Sequence, residues 1–219
     1  MDIKTQYDAI AGEYIQGQKD YFANRPDEAR NFIKKEIGDF HGLTLLDIGC
    51  GGGTDVVTYE QMGAAAVYGI DPSRSMVEAA KSTVQQPEFV TVQDAERTNF
   101  LDDMFDVVVA RFSLHYLERF DTAYAEVPRI LKPHGRFIFV VQHPLRDLRD
   151  KKEKIYGKQE IVTITMYDQK IPLTFPTHAL SDYLSPAFFQ FFELRAIDEN
   201  NLTNGKEIPA MLGISAVKR

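Results

Sequence analysis

Short, uninterrupted apolar runs alternate along the chain with stretches whose apolar positions recur every third or fourth residue. The runs are "LTLLDIG" (43–49), "AAVYGID" (65–71), "EFVTVQDA" (88–95), "FDVVVARF" (105–112) and "RFIFVVQHP" (136–144). Val107 to Val109 are apolar at consecutive positions, so these strands are predicted to be covered on both faces. Helical patterns lie between them. Pro26, Asp27 and Glu28 mark a start, and Ala29, Ile33, Ile37 and Phe40 follow at helical spacing. "TDVVTYEQMG" (54–63) and "PSRSMVEAAKSTV" (72–84) read as helices, the second opened by Pro72 and Ser73. Another spans about Thr122 to Leu131 and leads through the turn "KPHG" into the fifth run.

Strands alternating with helices predict an α/β fold with a doubly wound parallel sheet, in one domain over residues 1–219. The tail departs from that rhythm. "EIVTITMY" (160–167) and "KIPLTF" (170–175) suggest a hairpin joined at Asp168-Gln169. "ALSDYLSPAFFQFF" (179–192) is helical in pattern and broken at Pro186, and "FELRAIDEN" and "PAMLGISAVKR" supply a last pair of strands. The segment from about 145 to 180 is therefore predicted to be an inserted hairpin and helix cap overhanging the carboxyl edge of the sheet, where such folds bind ligands.

That edge collects Gly49 to Gly53, Asp71, Asp94, Arg111 to Ser113 and His143. Glycines directly after a buried strand let backbone amides approach a ligand. The dinucleotide pattern G-x-G-x-x-G fails at Thr54 when started from Gly49 and at Val56 when started from Gly51. No lysine stands between Lys35 and Lys81, so a phosphate-binding P-loop is excluded. Asp47 at the mouth of the loop would repel a pyrophosphate and suits an ammonium group. Asp71 can accept both hydroxyls of a ribose, and Asp94 can accept from an exocyclic amine while the Ala95 amide faces a ring nitrogen. Ribose, adenine and a cationic amino-acid tail without phosphates describe S-adenosylmethionine.

The run Asp47-x-Gly49-x-Gly51-x-Gly53, Asp71 in "GID" and "QDA" at 93–95 resemble the class I S-adenosylmethionine-dependent methyltransferases. "FDVVVARFSLHYL" and "ILKPHGRFIFV" are similar to the fourth and fifth strand regions of that superfamily, and "YDAIAGEY" to the N-terminal segment of its small-molecule branch. The likeness covers about residues 5 to 143. It implies a Rossmann-like, seven-stranded sheet, mostly parallel with the last strand antiparallel. It also implies S-adenosylmethionine as cofactor, S-adenosylhomocysteine as product, and methyl transfer to an O, N or C atom of a small-molecule acceptor. By the same likeness Asp71 holds the ribose, Met76 packs on the adenosine, Asp94 and Ala95 read adenine, and Tyr14 closes over the methionine end. The strand-end positions Cys50, Pro72, Arg111 and Phe112 complete the expected cofactor contacts.

Rival readings are a tRNA- or protein-directed methyltransferase, a non-catalytic cofactor-binding or partner protein, and a nicotinamide oxidoreductase, which the failed fingerprints disfavour. "ARFS" after the fourth strand is not a DPPY-like motif, so amino-methylation of bases or glutamine gains no support. For the acceptor pocket the candidates are His115, Tyr156, Tyr167 and His178. His143, at the end of the fifth strand, is the candidate acid–base residue, because imidazole can take a proton near neutral pH. His41 and His134 precede glycines in turns and read as structural.

Composition narrows this further. The 219 residues carry 25 basic and 32 acidic side chains, a formal charge of −7, which argues against nucleic acid or an anionic membrane as partner. The cluster "RDLRDKKEK" (146–154) alternates with acids and reads as a solvated loop or helix face. No apolar stretch approaches the roughly 18 residues of a membrane span, and the N-terminus has no signal-peptide core. Cys50 is the single cysteine, so no internal disulfide forms and a cytoplasmic location is expected. It reads as a packing residue, since no cation beside it would favour a thiolate. No metal is expected, and the chain is expected to be a monomer or homodimer.

Overall fold

The computed structural model describes residues 3–167, 171–199 and 208–219. Helices α1 (Ile3–Phe22) and α2 (Glu28–Ile37) precede β1 (Thr44–Ile48), α3 (Thr54–Gln61), β2 (Ala66–Asp71), α4 (Arg74–Lys81) and β3 (Val90–Val92). β4 (Phe105–Arg111), α5 (Asp121–Ile130), β5 (Leu131–Gln142) and α6 (Pro144–Asp150) follow. The chain continues through β6 (Ile161–Met166), β7 (Ile171–Pro176), α7 (Leu180–Tyr183), α8 (Pro186–Phe191), β8 (Phe192–Asp198) and β9 (Met211–Lys218).

Seven strands form one sheet in the order β3-β2-β1-β4-β5-β9-β8. β9 pairs antiparallel with both β5 and β8, so it is the one reversed strand, as the resemblance implies. Neighbouring residues divide between two cores: Leu45, Val107, Val109, Ile138 and Val140 face α2, α3 and α4, whereas Leu46, Val108, Phe137 and Phe139 face α5 and α8. The period of two, applied to runs that are apolar throughout, thus buries both faces. Helix starts are fixed by side-chain caps: Asp27 accepts from the Arg30 amide at 3.0 Å and Ser73 from the Met76 amide at 3.2 Å.

Several boundaries differ from expectation. The third strand covers only Val90–Val92, because Pro87 opens a single 3-10 turn ahead of it. β5 begins at Leu131, before "KPHG", and its register against β4 jumps from Phe105–Leu131 to Val107–Arg136. The basic cluster is not a fully solvated face: it starts in α6, and Asp147 and Lys151 are buried. Lys151 is satisfied there by the Ile155 and Tyr156 carbonyls, at 2.7 and 3.1 Å.

β6 and β7 form a separate antiparallel hairpin; its expected turn at Asp168-Gln169 lies outside the described residues. The N-terminal segment, which has no clear sequence signal, is a 20-residue helix. Gln6 on this helix accepts from the Thr174 amide at 2.8 Å and donates to the Thr174 carbonyl, so its carboxamide pairs with β7 as a strand would. Asp8 accepts from Ser73 Oγ at 2.7 Å and from the Ser75 amide at 3.0 Å, tying the same helix to the start of α4. Helix α1 and the hairpin together roof the carboxyl edge of the sheet. Among the described residues, no helix is long and apolar enough to cross a membrane.

Candidate active site

Beyond the ends of β1, β2, β4 and β5 and beneath that roof lies a cavity of about 730 Å³, within the usual size of a small-molecule site. Its floor is the glycine loop. Gly51 has φ +52°, and a Cβ built there would meet nothing within 4 Å, so the loop's bare backbone faces open space. Gly49 serves a different purpose: a Cβ would stand 2.3 Å from that of Ser113, whose hydroxyl donates to the Ile48 carbonyl. Asp71 is nearly buried at the cavity wall. It accepts from the Gly51 amide at 3.0 Å and the Ser73 amide at 2.8 Å, with lone pairs to spare. Burial pushes its carboxyl up to about 6, against the opposing pull of those amides.

The cavity gathers Tyr14, Gly49, Cys50, Gly51, Asp71, Pro72, Met76, Asp94, Ala95, Arg111, Phe112, His115 and Tyr167 from the expected set. Asp47 and Gly53 do not line it. Asp47 lies below the loop, 2% exposed, and burial, reinforced by the charge of Asp55, raises its pKa well above the ordinary range. Gly53 faces α4, where a Cβ would press on Ala80 and Val84. Burial likewise pushes the Cys50 thiol up, away from thiolate character.

Three further expectations are corrected. His143 caps α6 instead of facing the cavity: its Nδ1 accepts from the Leu145 amide at 3.1 Å. Its Nε2 then carries the proton and donates to Glu199 at 2.8 Å. With both nitrogens engaged, it has no lone pair to offer a substrate. His178 is buried away from the cavity, Nε2 at 3.2 Å from the His115 carbonyl and Nδ1 at 3.4 Å from Gln159 Nε2. Tyr156 is turned outward, its hydroxyl accepting from the Leu180 amide at 2.8 Å. The side chains at these positions follow local caps and turns that a period of two or 3.6 does not encode.

A charged cluster that sequence reasoning missed closes one end of the cavity. Asp55 binds Arg30 at 2.6 Å and also Arg111, and Asp27 binds Arg111 at 3.2 Å. Burial works against every charge there. Arg111 and Arg30 nonetheless pull Asp55 below the usual carboxylate range, and Asp55 and Asp27 keep Arg111 protonated. Adding Asp47 gives three carboxylates against two guanidinium groups, so the cluster has capacity for either a proton or one more cation. The signal was present in "RPDEAR", but it serves equally as a helix start.

The other end is aromatic. Tyr7 and Tyr116 share a hydrogen bond at 2.7 Å, and Tyr14 packs edge-on against both Tyr7 and Tyr167. Burial raises the Tyr7 and Tyr116 phenols, which stay neutral. One of their two protons is spent between them, and Tyr14 stands beside Tyr7. His115 packs edge-on against Phe175 and tilts over Tyr116; its Nδ1 has no partner, and burial pushes the ring down to about 3. Among the described residues, no group of three or more His, Cys, Asp or Glu side chains is placed to hold a metal ion.

The methyltransferase domain family matches residues 46–139. The chain is 31% identical over 138 residues to a ubiquinone/menaquinone biosynthesis C-methyltransferase of Desulfotalea psychrophila, covering 62% of this chain and 56% of the relative. It is 31% identical over 111 residues to a malonyl-[acyl-carrier protein] O-methyltransferase of Buchnera aphidicola, covering 51% and 44%. The chain spans about half the length of the curated relatives it matches. Among solved structures, a Listeria monocytogenes protein assigned to the S-adenosylmethionine-dependent methyltransferases superposes with a TM-score of 0.70 at 27% identity, over 88% of this chain and 97% of that one.

Proposed function

We propose that this chain, which belongs to the class I S-adenosylmethionine-dependent methyltransferases, binds S-adenosylmethionine on the glycine loop and methylates an O, N or C atom of a small molecule. The residues of the cavity fit that cofactor. Gly51 leaves bare backbone beside Asp71, whose free lone pairs suit a ribose diol. Asp94 and Ala95 stand at the end of β3 for an adenine, and Met76 is buried against that side. Asp27 and Asp55, which line the cavity, offer carboxylate acceptors for the ammonium of an amino-acid tail. When bound, S-adenosylmethionine supplies a methyl group already activated on a sulfonium.

The chain's own task is alignment and exclusion of water. Helix α1, through Tyr7 and Tyr14, and the β6–β7 hairpin, through Tyr167 and Phe175, roof the space beside the proposed methyl donor. We assign the segment of about 145–180 to acceptor selection, within a single domain. The enclosed roof favours a small acceptor over tRNA or protein, and neutral phenols with a neutral imidazole favour orientation over proton abstraction. His143 has no place in this scheme. The single cysteine suits a cytoplasmic location, and we propose a monomer or homodimer.

The observation that carries the reading is the glycine loop opening beside Asp71 into one roofed cavity. Calorimetric titration with S-adenosylhomocysteine, followed by labelled-methyl transfer to fractionated metabolites, tests it. Absence of binding would defeat it.

A further inference from the structure

Arg146 lines the cavity and also a small annex of about 80 Å³ formed with Arg149, Ile208 and Ala210. The other arginines on the cavity wall are engaged. Arg111 is closed in by Asp27 and Asp55, and Arg25 lies over the Tyr21 ring, 4.2 Å from its centroid, with a nitrogen on the Tyr21 carbonyl. Arg146 makes no ion pair among the described residues, although it is half-buried. The carboxylate on its own helix, Asp147, points into the core, where Gln142 donates to it at 2.5 Å. Burial holds Asp147 up to about 7, so it is a weak counterion. Glu199, nearby in the chain fold, is taken by His143. Arg149 faces Asp150 at 3.8 Å.

Withdrawing a guanidinium from water without a partner is costly, and its planar fork matches a carboxylate in two parallel hydrogen bonds. Helix α6, which carries Arg146, packs against β6, and the hairpin contributes Ile164, Met166, Leu173 and Phe175 to the same cavity. Arg149, the other cation at the annex, is largely exposed, faces Asp150 and does not line the cavity itself. The cavity on this side therefore meets one guanidinium, which fits a carboxylate monoanion better than a phosphate dianion.

Resting on the methyltransferase reading, we propose that the methyl acceptor is a small organic acid. Its carboxylate seats on Arg146 and its apolar or aromatic body lies along the inner face of the hairpin. The acid group is a recognition handle, and the methylated atom lies at the other end of the molecule, toward Tyr116 and His115. The Tyr7–Tyr116 hydroxyl pair there, held at 2.7 Å, suits a hydroxyl or amine.

Calorimetry on the full chain saturated with S-adenosylhomocysteine tests this with phenylacetate, 3-phenylpropionate and octanoate, each beside its amide. At least one acid is expected to bind about tenfold or more tightly than its amide, the scale of a charged hydrogen-bond pair. Arg146→Gln should erase that preference and leave S-adenosylhomocysteine affinity unchanged, while Arg146→Lys should keep part of it. Equal binding of acids and amides, no binding of any acid, or a preference that survives Arg146→Gln overturns the proposal. Failure of S-adenosylhomocysteine to bind the wild-type chain overturns the methyltransferase reading, and this proposal with it. Bound product with no acid preference overturns this proposal alone.

Discussion

The Gly51 amide donates to Asp71 Oδ2 at 3.0 Å, so one carboxylate at the end of β2 both shapes the glycine loop and faces the cavity. Asp71→Ala therefore removes a loop anchor together with the proposed ribose acceptor. S-adenosylhomocysteine affinity should fall by about 2–3 kcal/mol, the range for hydrogen bonds to a charged group. Calorimetry on the folded variant is the check, and unchanged affinity would remove Asp71 from the site.

Two glycines of the same loop should fail differently. At Gly51 a side chain would enter open cavity space from a left-handed backbone, so Gly51→Val should fold, with some strain, and lose cofactor binding. At Gly49 even a methyl group meets Ser113, so Gly49→Ala should lower the melting temperature first. A Gly51→Val chain that binds S-adenosylhomocysteine normally would show that the loop's glycine serves only the turn.

Asp147 makes stability depend on pH in a stated direction. Its carboxyl, raised by burial to about 7, keeps a proton in the folded chain that the unfolded chain releases near 3.8. The folded state then binds more protons across that window, so stability falls as pH rises through it and levels off above about 7. Asp71, raised to about 6, acts in the same sense over a narrower window. Asp147→Asn keeps the acceptor used by Gln142 and removes the titration. His115, held neutral by burial at about 3, acts in the opposite sense below about 6.5, so the test is the difference between the two chains. In chemical denaturation from pH 5 to 8 the wild type should lose on the order of a few kcal/mol more stability than Asp147→Asn. Parallel slopes would contradict the assignment.

His143 should behave as a helix cap. Loss of its Nδ1 acceptor in His143→Ala should cost about 1 kcal/mol of stability, and His143→Asn, whose side chain can accept at the same position, should recover most of it. S-adenosylhomocysteine affinity should be unchanged in both variants. A large fall in turnover without any loss of stability would return the residue to the chemistry.

Local pattern determined the sheet. Continuous apolar runs such as Val107 to Val109 must be buried on both faces, and the alternation of β1 sends Leu45 and Leu46 to opposite cores. Glycines after β1, Asp71 after β2 and Asp94 after β3 were legible for the same reason: strand ends converge at one edge of a parallel sheet whatever the details of packing. Side-chain direction was not legible. Whether His143 faces a ligand or caps α6 depends on a rotamer and on Glu199, 56 residues away. The roof depends on Gln6 meeting Thr174 across 168 residues, and the cluster at Asp27 on Arg111 arriving from β4. Periodicity records what each residue must hide from water. Only the folded chain decides which distant partners satisfy the polar groups left over, and those partners decide which of the candidate residues reach the cavity.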